Sequence, residues 1–218
     1  MTHPQDGLLK QGALSLGLRL SAQQYEQLCA YIDVLLKWNR VYNLSALNTA
    51  DDIAVKHILD SLAIVPGLRQ CTEGKTARLL DVGSGAGLPG AVIAITYPEI
   101  TVCCVDASAK KAAFVQQLAG SLTLGNLQSQ HGRVQDLRGS FDVVTSRAFS
   151  SLADFCVSSR HVLAPEGVWL AMKGKRPEVE IAALPSDVEV FHVEQLKVPG
   201  LDAERCLVWM RRASGQEC

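Results

Sequence analysis

The chain lacks any apolar run long enough to cross a bilayer; its longer ones, such as residues 91–95, fall far short of the roughly 20 residues a membrane helix needs. It also lacks a surplus of charge. Lys and Arg number 21 against 22 Asp and Glu, a net charge of −1. No global field therefore draws it to nucleic acid, and an RNA partner would have to be held by a local basic patch. No C-x-x-C pair occurs among the seven cysteines, Cys29, Cys71, Cys103, Cys104, Cys156, Cys206 and Cys218. That spacing argues against zinc and against a disulfide framework, and reads as reduced, mostly buried thiols in a reducing compartment; no metal is expected. Repeats and low-complexity segments are absent. The opening residues Met1 to Asp6 show no basic stretch leading into an apolar one, so no secretory signal is expected. The expectation is a cytoplasmic protein, monomeric and without a membrane partner.

What is present is enough for a core. The hydrophobic fraction is 48%, and 218 residues suit one α/β domain with a modest N-terminal extension. Ser21 followed by Gln24 reads as a capping box, opening a helix with Tyr25, Leu28, Ile32 and Leu35 on one face. Periodicity fails in the polar-aromatic stretch Trp38-Asn39-Arg40-Val41-Tyr42-Asn43-Leu44. Asp51 and Asp52 begin a second predicted helix, through His57 to about Val65, stopped by Pro66-Gly67. Residues 1–70 are thus expected to form an N-terminal helical extension.

From Ala77 the pattern changes to strand, turn and helix. Strands are predicted at 78–82, 101–105, 127–131, 141–145 and 168–172. Helices are predicted to open at Pro89, at Ser108 and at Leu152. The Ser108 side chain is expected to cap a helix that buries Phe114, Val115, Leu118 and Leu122, and Pro165 and Gly167 to stop the last helix. Two final strands, 188–196 and 206–211, have little helix between them, which predicts an antiparallel hairpin at one edge. Alternating β and α units predict a doubly wound, mostly parallel α/β sheet over residues 71–218.

The run Asp81-Val82-Gly83-Ser84-Gly85-Ala86-Gly87-Leu88-Pro89-Gly90 follows the first strand. Glycines there let the backbone turn tightly and let a ligand lie against bare main chain. Two registers compete. Gly85 to Gly90 matches the dinucleotide pattern G-x-G-x-x-G, and Asp81 to Gly87 matches D-x-G-x-G-x-G, the turn of S-adenosylmethionine sites. Asp81 would repel a pyrophosphate, whereas a methionine ammonium suits a nearby carboxylate. The strand also ends directly at Gly83, two residues before the dinucleotide register starts. The expectation is a class I, Rossmann-like methyltransferase sheet with S-adenosylmethionine as cofactor and Gly83 and Gly85 in its turn; a merely structural turn is the alternative. Asp106 ends the next strand, roughly 20 residues on, where an acid accepts hydrogen bonds from ribose hydroxyls. It supports a nucleoside without choosing between S-adenosylmethionine and a nicotinamide dinucleotide.

The end of the fourth strand, Ser146-Arg147-Ala148-Phe149, informs by what it omits. It has no Asn/Asp-Pro-Pro-aromatic turn for amine methylation and no clustered acids for metal-dependent O-methylation, and no Pro-Cys for pyrimidine C5 chemistry occurs in the chain. A target that needs no base, such as guanine N7, would explain this, because transfer then rests on proximity and orientation. No catalytic acid, base or nucleophile is assigned. Arg147 suits a carboxylate or a phosphate, or a plain salt bridge. Lys173, Lys175 and Arg176 read either as a phosphate-binding cluster or as a solvated charge run.

These segments, with His57-Ile58-Leu59-Asp60-Ser61 and Lys173-Gly174, resemble the ribosomal RNA small subunit methyltransferase G family, also called glucose-inhibited division protein B, over nearly the whole chain. The resemblance implies methylation of guanine N7 in a loop of 16S ribosomal RNA near the decoding centre, with that RNA or the small ribosomal subunit as partner. By match it places Gly83 and Leu88 at the cofactor, Asp106 and Ser108 on its ribose side, Val134 and Gln135 at the adenine, and Arg147 in contact with the cofactor. Two departures stand out: the family usually has Arg-x-Glu where this chain has Arg133-Val134-Gln135, and often a Lys-Arg pair at Lys110-Lys111. His57 and Asp60, on one helix face, could border the RNA site or simply pack. The aromatics of 38–44 could stack on bases or belong to the core. The competing functions are a nicotinamide-dependent oxidoreductase, for which no Tyr-x-x-x-Lys or similar pair is found at the strand ends, and a non-catalytic module binding S-adenosylmethionine or RNA.

Overall fold

The computed structural model describes residues 3–147 and 149–213. Ala148 and Cys218, both used above, lie outside the described residues. Helices come first: α1 (Asp6–Ser15), α2 (Ala22–Tyr42), α3 (Ala50–Ile53), a π-helical turn (Ala54–Leu59), α4 (Asp60–Leu62) and α5 (Val65–Cys71). The capping box at α2 is formed as expected, with Ser21 Oγ accepting from the Gln24 amide at 3.2 Å and Gln24 Oε1 accepting from the Ser21 amide at 2.8 Å. Tyr25, Leu28, Ile32 and Leu35 are buried on one face.

The helix does not stop where its apolar period fails. It runs to Tyr42 and closes on Asn43, whose φ of 48° is the left-handed conformation that ends helices. Trp38 there packs on Tyr42 at 4.9 Å and edge-on against Phe114 at 5.5 Å. The single helix expected from Asp51 to Val65 is a composite with a π-turn in the middle. Such a turn widens the helix by a residue and re-aims the side chains beyond it. Pro66 stops nothing: it lies in the first turn of α5, where its missing amide hydrogen leaves no bond unmade.

The sheet comprises β1 (Ala77–Val82), β2 (Ile100–Asp106), β3 (Leu127–His131), β4 (Phe141–Ser146), β5 (Leu163–Lys173), β6 (Val188–Leu196) and β7 (Arg205–Arg212) in the order β3-β2-β1-β4-β5-β7-β6. The first five strands pair in parallel, and β7 runs antiparallel to both β5 and β6, so the expected edge hairpin is present with its second strand on the inside. Pro165 and Gly167 do not precede β5 but lie within it. The β4–β5 register jumps there, from Phe141 against Leu163 to Val143 against Val168, and such an irregularity is where a strand tolerates proline.

Between the strands run α6 (Gly90–Thr96), α7 (Ala109–Ser121), α8 (Leu152–Ser159) and α9 (Glu178–Ala182). Ser108 holds the cap position of α7, but its side chain makes no capping bond; the loop is held through its amide instead, by Asp106 Oδ1 at 2.8 Å.

Alternation along the strands divides the core in two. Leu79, Val102, Val143 and Leu170 face one way, onto Leu28, Ile32, Ile58, Leu62 and Phe114. Leu80, Val82, Val144 and Trp169 face the other, onto Leu152 and Phe155. The N-terminal helices therefore share one apolar cluster with the sheet. Among the described residues no helix is long and apolar enough to cross a membrane, and no group of three or more His, Cys, Asp or Glu could hold a metal ion.

Candidate active site at the carboxyl edge of the sheet

The glycines after β1 differ in what surrounds them. A Cβ on Gly83 (φ 67°) or Gly85 (φ 59°) would meet nothing within 4 Å. One on Gly90 would lie 2.6 Å from Cys104 Sγ and 2.9 Å from Asp81 Oδ2. The first pair borders open space, and the second position is closed by the core. Asp106 spans the turn: Oδ2 accepts from the Gly85 amide at 2.9 Å and Oδ1 from the Ser108 amide at 2.8 Å. Each oxygen keeps a second acceptor direction, as a carboxylate has about four. From below, the Tyr31 hydroxyl of α2 donates to the Ala86 carbonyl at 2.7 Å, so the N-terminal helices form the floor of the turn.

Asp81 is not a surface carboxylate awaiting a ligand. It is fully buried, and Oδ2 accepts from the Gly90 amide at 2.8 Å. Oδ1 has no hydrogen-bond partner among the described residues. Burial pushes the carboxyl up to about 7, against the Gly90 amide and the Arg147 charge, which favour the ionised form. Leu88 and Val134 turn their side chains into the core, whereas Gln135, in the 3-10 turn after β3, is exposed. Only their main chains remain for a ligand at Leu88 and Val134.

Arg147, just beyond β4, is held by the helical layer. Nη1 donates to the Lys56 carbonyl at 3.2 Å and to Asp60 Oδ2 at 3.3 Å, and Nη2 lies 3.3 Å from His57 Nδ1. His57 Nδ1 also lies 3.1 Å from the Lys56 carbonyl, and its Nε2 lies 2.8 Å from Ser45 Oγ, so both ring nitrogens are engaged. Burial, and then the Arg147 charge, push the imidazole down to about 4. Asn39, also buried, fixes the next segment: its side chain donates to the Leu47 carbonyl at 3.0 Å and accepts from the Ser45 amide at 2.8 Å. Asp60 Oδ1 takes a second arginine, Arg205 of β7, at 2.8 Å.

Arg147, His57, Ser45, Asp60 and Arg205 line a cavity of about 380 Å³ together with Lys56, Lys173 and Gly174. Of the basic cluster expected after β5, only Lys173 reaches it. Lys175 pairs with Glu204 at 3.8 Å and Arg176 with Glu178 at 2.6 Å, both outside the cavity lining. Arg205 was not singled out from the sequence. It is one basic residue at the start of a strand, and only the chain reversal of β6 and β7 brings it beside Lys173. The nearest signal was the His57/Asp60 pair, which the π-turn aims at the strand ends.

A glycine turn bordering open space, an acid ending β2, and an antiparallel β7 set between β5 and β6 define the class I S-adenosylmethionine-dependent methyltransferase fold. The structure superposes on a SAM dependent methyltransferase from Aquifex aeolicus with a TM-score of 0.54 at 16% identity, covering 67% of this chain and 88% of that one. TrmN from Thermus thermophilus gives 0.57 at 17% identity, covering 70% of this chain and 49% of that one, about half its length. The chain belongs to the rRNA small subunit methyltransferase G (GidB) family, whose model matches residues 24–208. The ribosomal RNA small subunit methyltransferase G of an Acidovorax species is 58% identical over 211 residues, covering 93% of each chain. That of Paracidovorax citrulli is 52% identical, covering 100% of this chain and 95% of its own.

Proposed function

We propose that the protein transfers a methyl group from S-adenosylmethionine to N7 of a guanine in 16S ribosomal RNA. The observation that carries the reading is the open space over Gly83 and Gly85 beside Asp106, at the same sheet edge as a cavity whose charged lining is four cations against one carboxylate. Those glycines leave room for the cofactor's methionine end; the spare acceptor directions of Asp106 suit ribose hydroxyls. The amide side of Ser108 and the main chain of Leu88 complete that wall, Val134 and Gln135 border the adenine, and Arg147 steadies the carboxylate end. The orphaned Asp81 Oδ1 fits this assignment, since it sits beneath the turn with acceptor capacity to spare.

When bound, S-adenosylmethionine supplies an electrophilic methyl group on a sulfonium. Guanine N7 has a lone pair and no proton, so the N–C bond forms as the C–S bond breaks, and the positive charge passes to the purine. The chain's task is orientation and exclusion of water. Among the described residues none serves as base: His57 is neutral, but its Nδ1 is engaged by Arg147 and the Lys56 carbonyl and its Nε2 by Ser45. We assign the helices through residue 70 to floor and wall of the site, the remainder to the methyltransferase sheet, and take the active form as a cytoplasmic monomer.

N7 methylation makes a nucleotide cleavable by borohydride and aniline. Ribosomal RNA from cells with and without the protein should differ by the loss of one such cleavage in 16S RNA. An unchanged pattern, with methyl label found elsewhere, would overturn the N7 assignment and leave methyl transfer intact.

A further inference from the structure

Apart from Arg147, the residues placed at the cofactor lie after β1, β2 and β3, whereas the 380 Å³ cavity, which Arg147 borders, lies at the ends of β4, β5 and β7 and against the π-turn. Its charged lining is lopsided: Lys56, Arg147, Lys173 and Arg205 against the single carboxylate of Asp60. In a chain of net charge −1, this is a local concentration of positive charge. Two of the four are otherwise engaged, Lys56 with Asp52 and Lys173 with Glu180. The two arginines share Asp60, one per carboxylate oxygen. Arg205 donates Nε to Asp60 at 2.8 Å and Nη1 to the Glu204 carbonyl at 2.9 Å, and Nη2 has no partner among the described residues.

We propose that the cavity binds a phosphodiester of the target RNA strand through Arg147 and Arg205, with Asp60 as the positioning residue that sets the two guanidinium planes. The inference rests on the function proposed above. Asp60 is 2% exposed, so it does not itself contact the RNA. A buried carboxylate gripping two arginines fixes long, flexible side chains before the ligand arrives, which lowers the ordering cost of binding. His57, neutral and 3.3 Å from Arg147 Nη2 through Nδ1, packs beside the brace without adding charge. The methionine carboxylate is the other anion within this chemistry, and the experiment separates the two sources.

Methylation of small subunits lacking the modification would be measured at saturating S-adenosylmethionine over a salt series, with S-adenosylhomocysteine binding followed by calorimetry. Arg205→Ala should raise KM for the subunit roughly tenfold to hundredfold. It should also lower the log–log salt slope by about 0.7–0.9, one phosphate contact, while S-adenosylhomocysteine affinity stays within about twofold. Arg205→Lys should rescue in part, since a point charge lacks the fork. Asp60→Asn is the sharper variant. It makes the cavity more positive, so a merely attractive patch would bind RNA more tightly, whereas loss of positioning raises KM. An unchanged or lower KM in Asp60→Asn overturns the positioning role. An unchanged KM and slope in Arg205→Ala overturns the phosphate site, and so does a loss confined to S-adenosylhomocysteine binding. Should Asp60→Asn not fold, the Arg205 variants decide alone. No transfer by the unaltered protein would remove the proposed function and the clamp together; normal transfer with an inert Arg205→Ala would remove the clamp only.

Discussion

Asp81, fully buried, and His57, half-buried, are titratable groups whose shifts have opposite sense. Folded His57 refuses, until about pH 4, a proton that the unfolded chain takes near its ordinary 6.5. Its contribution to stability is in place above that ordinary value and is lost as pH falls through about 4. Asp81 does the reverse, keeping to about pH 7 a proton that the unfolded chain releases near 3.8. Its contribution is in place below 3.8 and lost as pH rises through about 7. The two oppose each other across the same window. Asp81→Asn should therefore make thermal stability climb more steeply with pH between about 4 and 6.5 than in the unaltered chain, and His57→Gln should make it fall. Melting curves in a pH series check this; parallel profiles for all three proteins would show that neither group titrates as its surroundings demand. Asp81 was legible in the sequence as the acid of the turn, but its burial was not. A strand-end aspartate reads the same whether it faces solvent or the packed side of Gly90, and only the 2.9 Å that would separate a Gly90 Cβ from Asp81 Oδ2 decides it.

Among the elements, the segment between α2 and α3 depends most on one residue. Asn39 makes its bonds to Leu47, Asn48 and Ser45 from a buried position, and Ser45 in turn holds His57. Asn39→Ala would leave backbone groups without partners, a cost of about 1–3 kcal/mol, and at roughly 2–4 °C per kcal/mol in a chain of this size the melting temperature should drop by several degrees. A drop under about 1 °C would mean that the segment is held by something else. This residue also shows where sequence patterns mislead. Trp38 to Leu44 breaks the apolar period because its side chains serve the next segment and Phe114, not because the helix ends. The π-turn at Ala54–Leu59 leaves no compositional mark at all, since the residues of a widened turn are ordinary helix formers. Strands fared better. β3 and β6 match their predicted spans to the residue, because Gly and Asn/Asp turns bound them on both sides.

At the scale of the whole molecule, the alternation of strand and helix made the doubly wound sheet legible, and the missing crossover helix made the edge hairpin legible. The insertion of β7 between β5 and β6 was not: a hairpin pattern says that two strands pair, not which of them faces the rest of the sheet. The cationic cavity depends on that placement, so the position of Arg205 beside Lys173 is not legible in the sequence. The apolar cluster holding Leu9, Leu28, Ile58 and Leu62 also holds Leu79, Val102 and Leu170, so residue 70 divides the chain by pattern and not by packing. Heat should therefore find no seam. Scanning calorimetry of the ligand-free protein should give one peak, with calorimetric and van't Hoff enthalpies in agreement. Two separable peaks, or a calorimetric enthalpy well above the van't Hoff value, would mean that the helices melt on their own. With a single transition, a weakened contact at α1 or α2 would be felt as lost occupancy of the whole fold, glycine turn included, at any temperature near the midpoint.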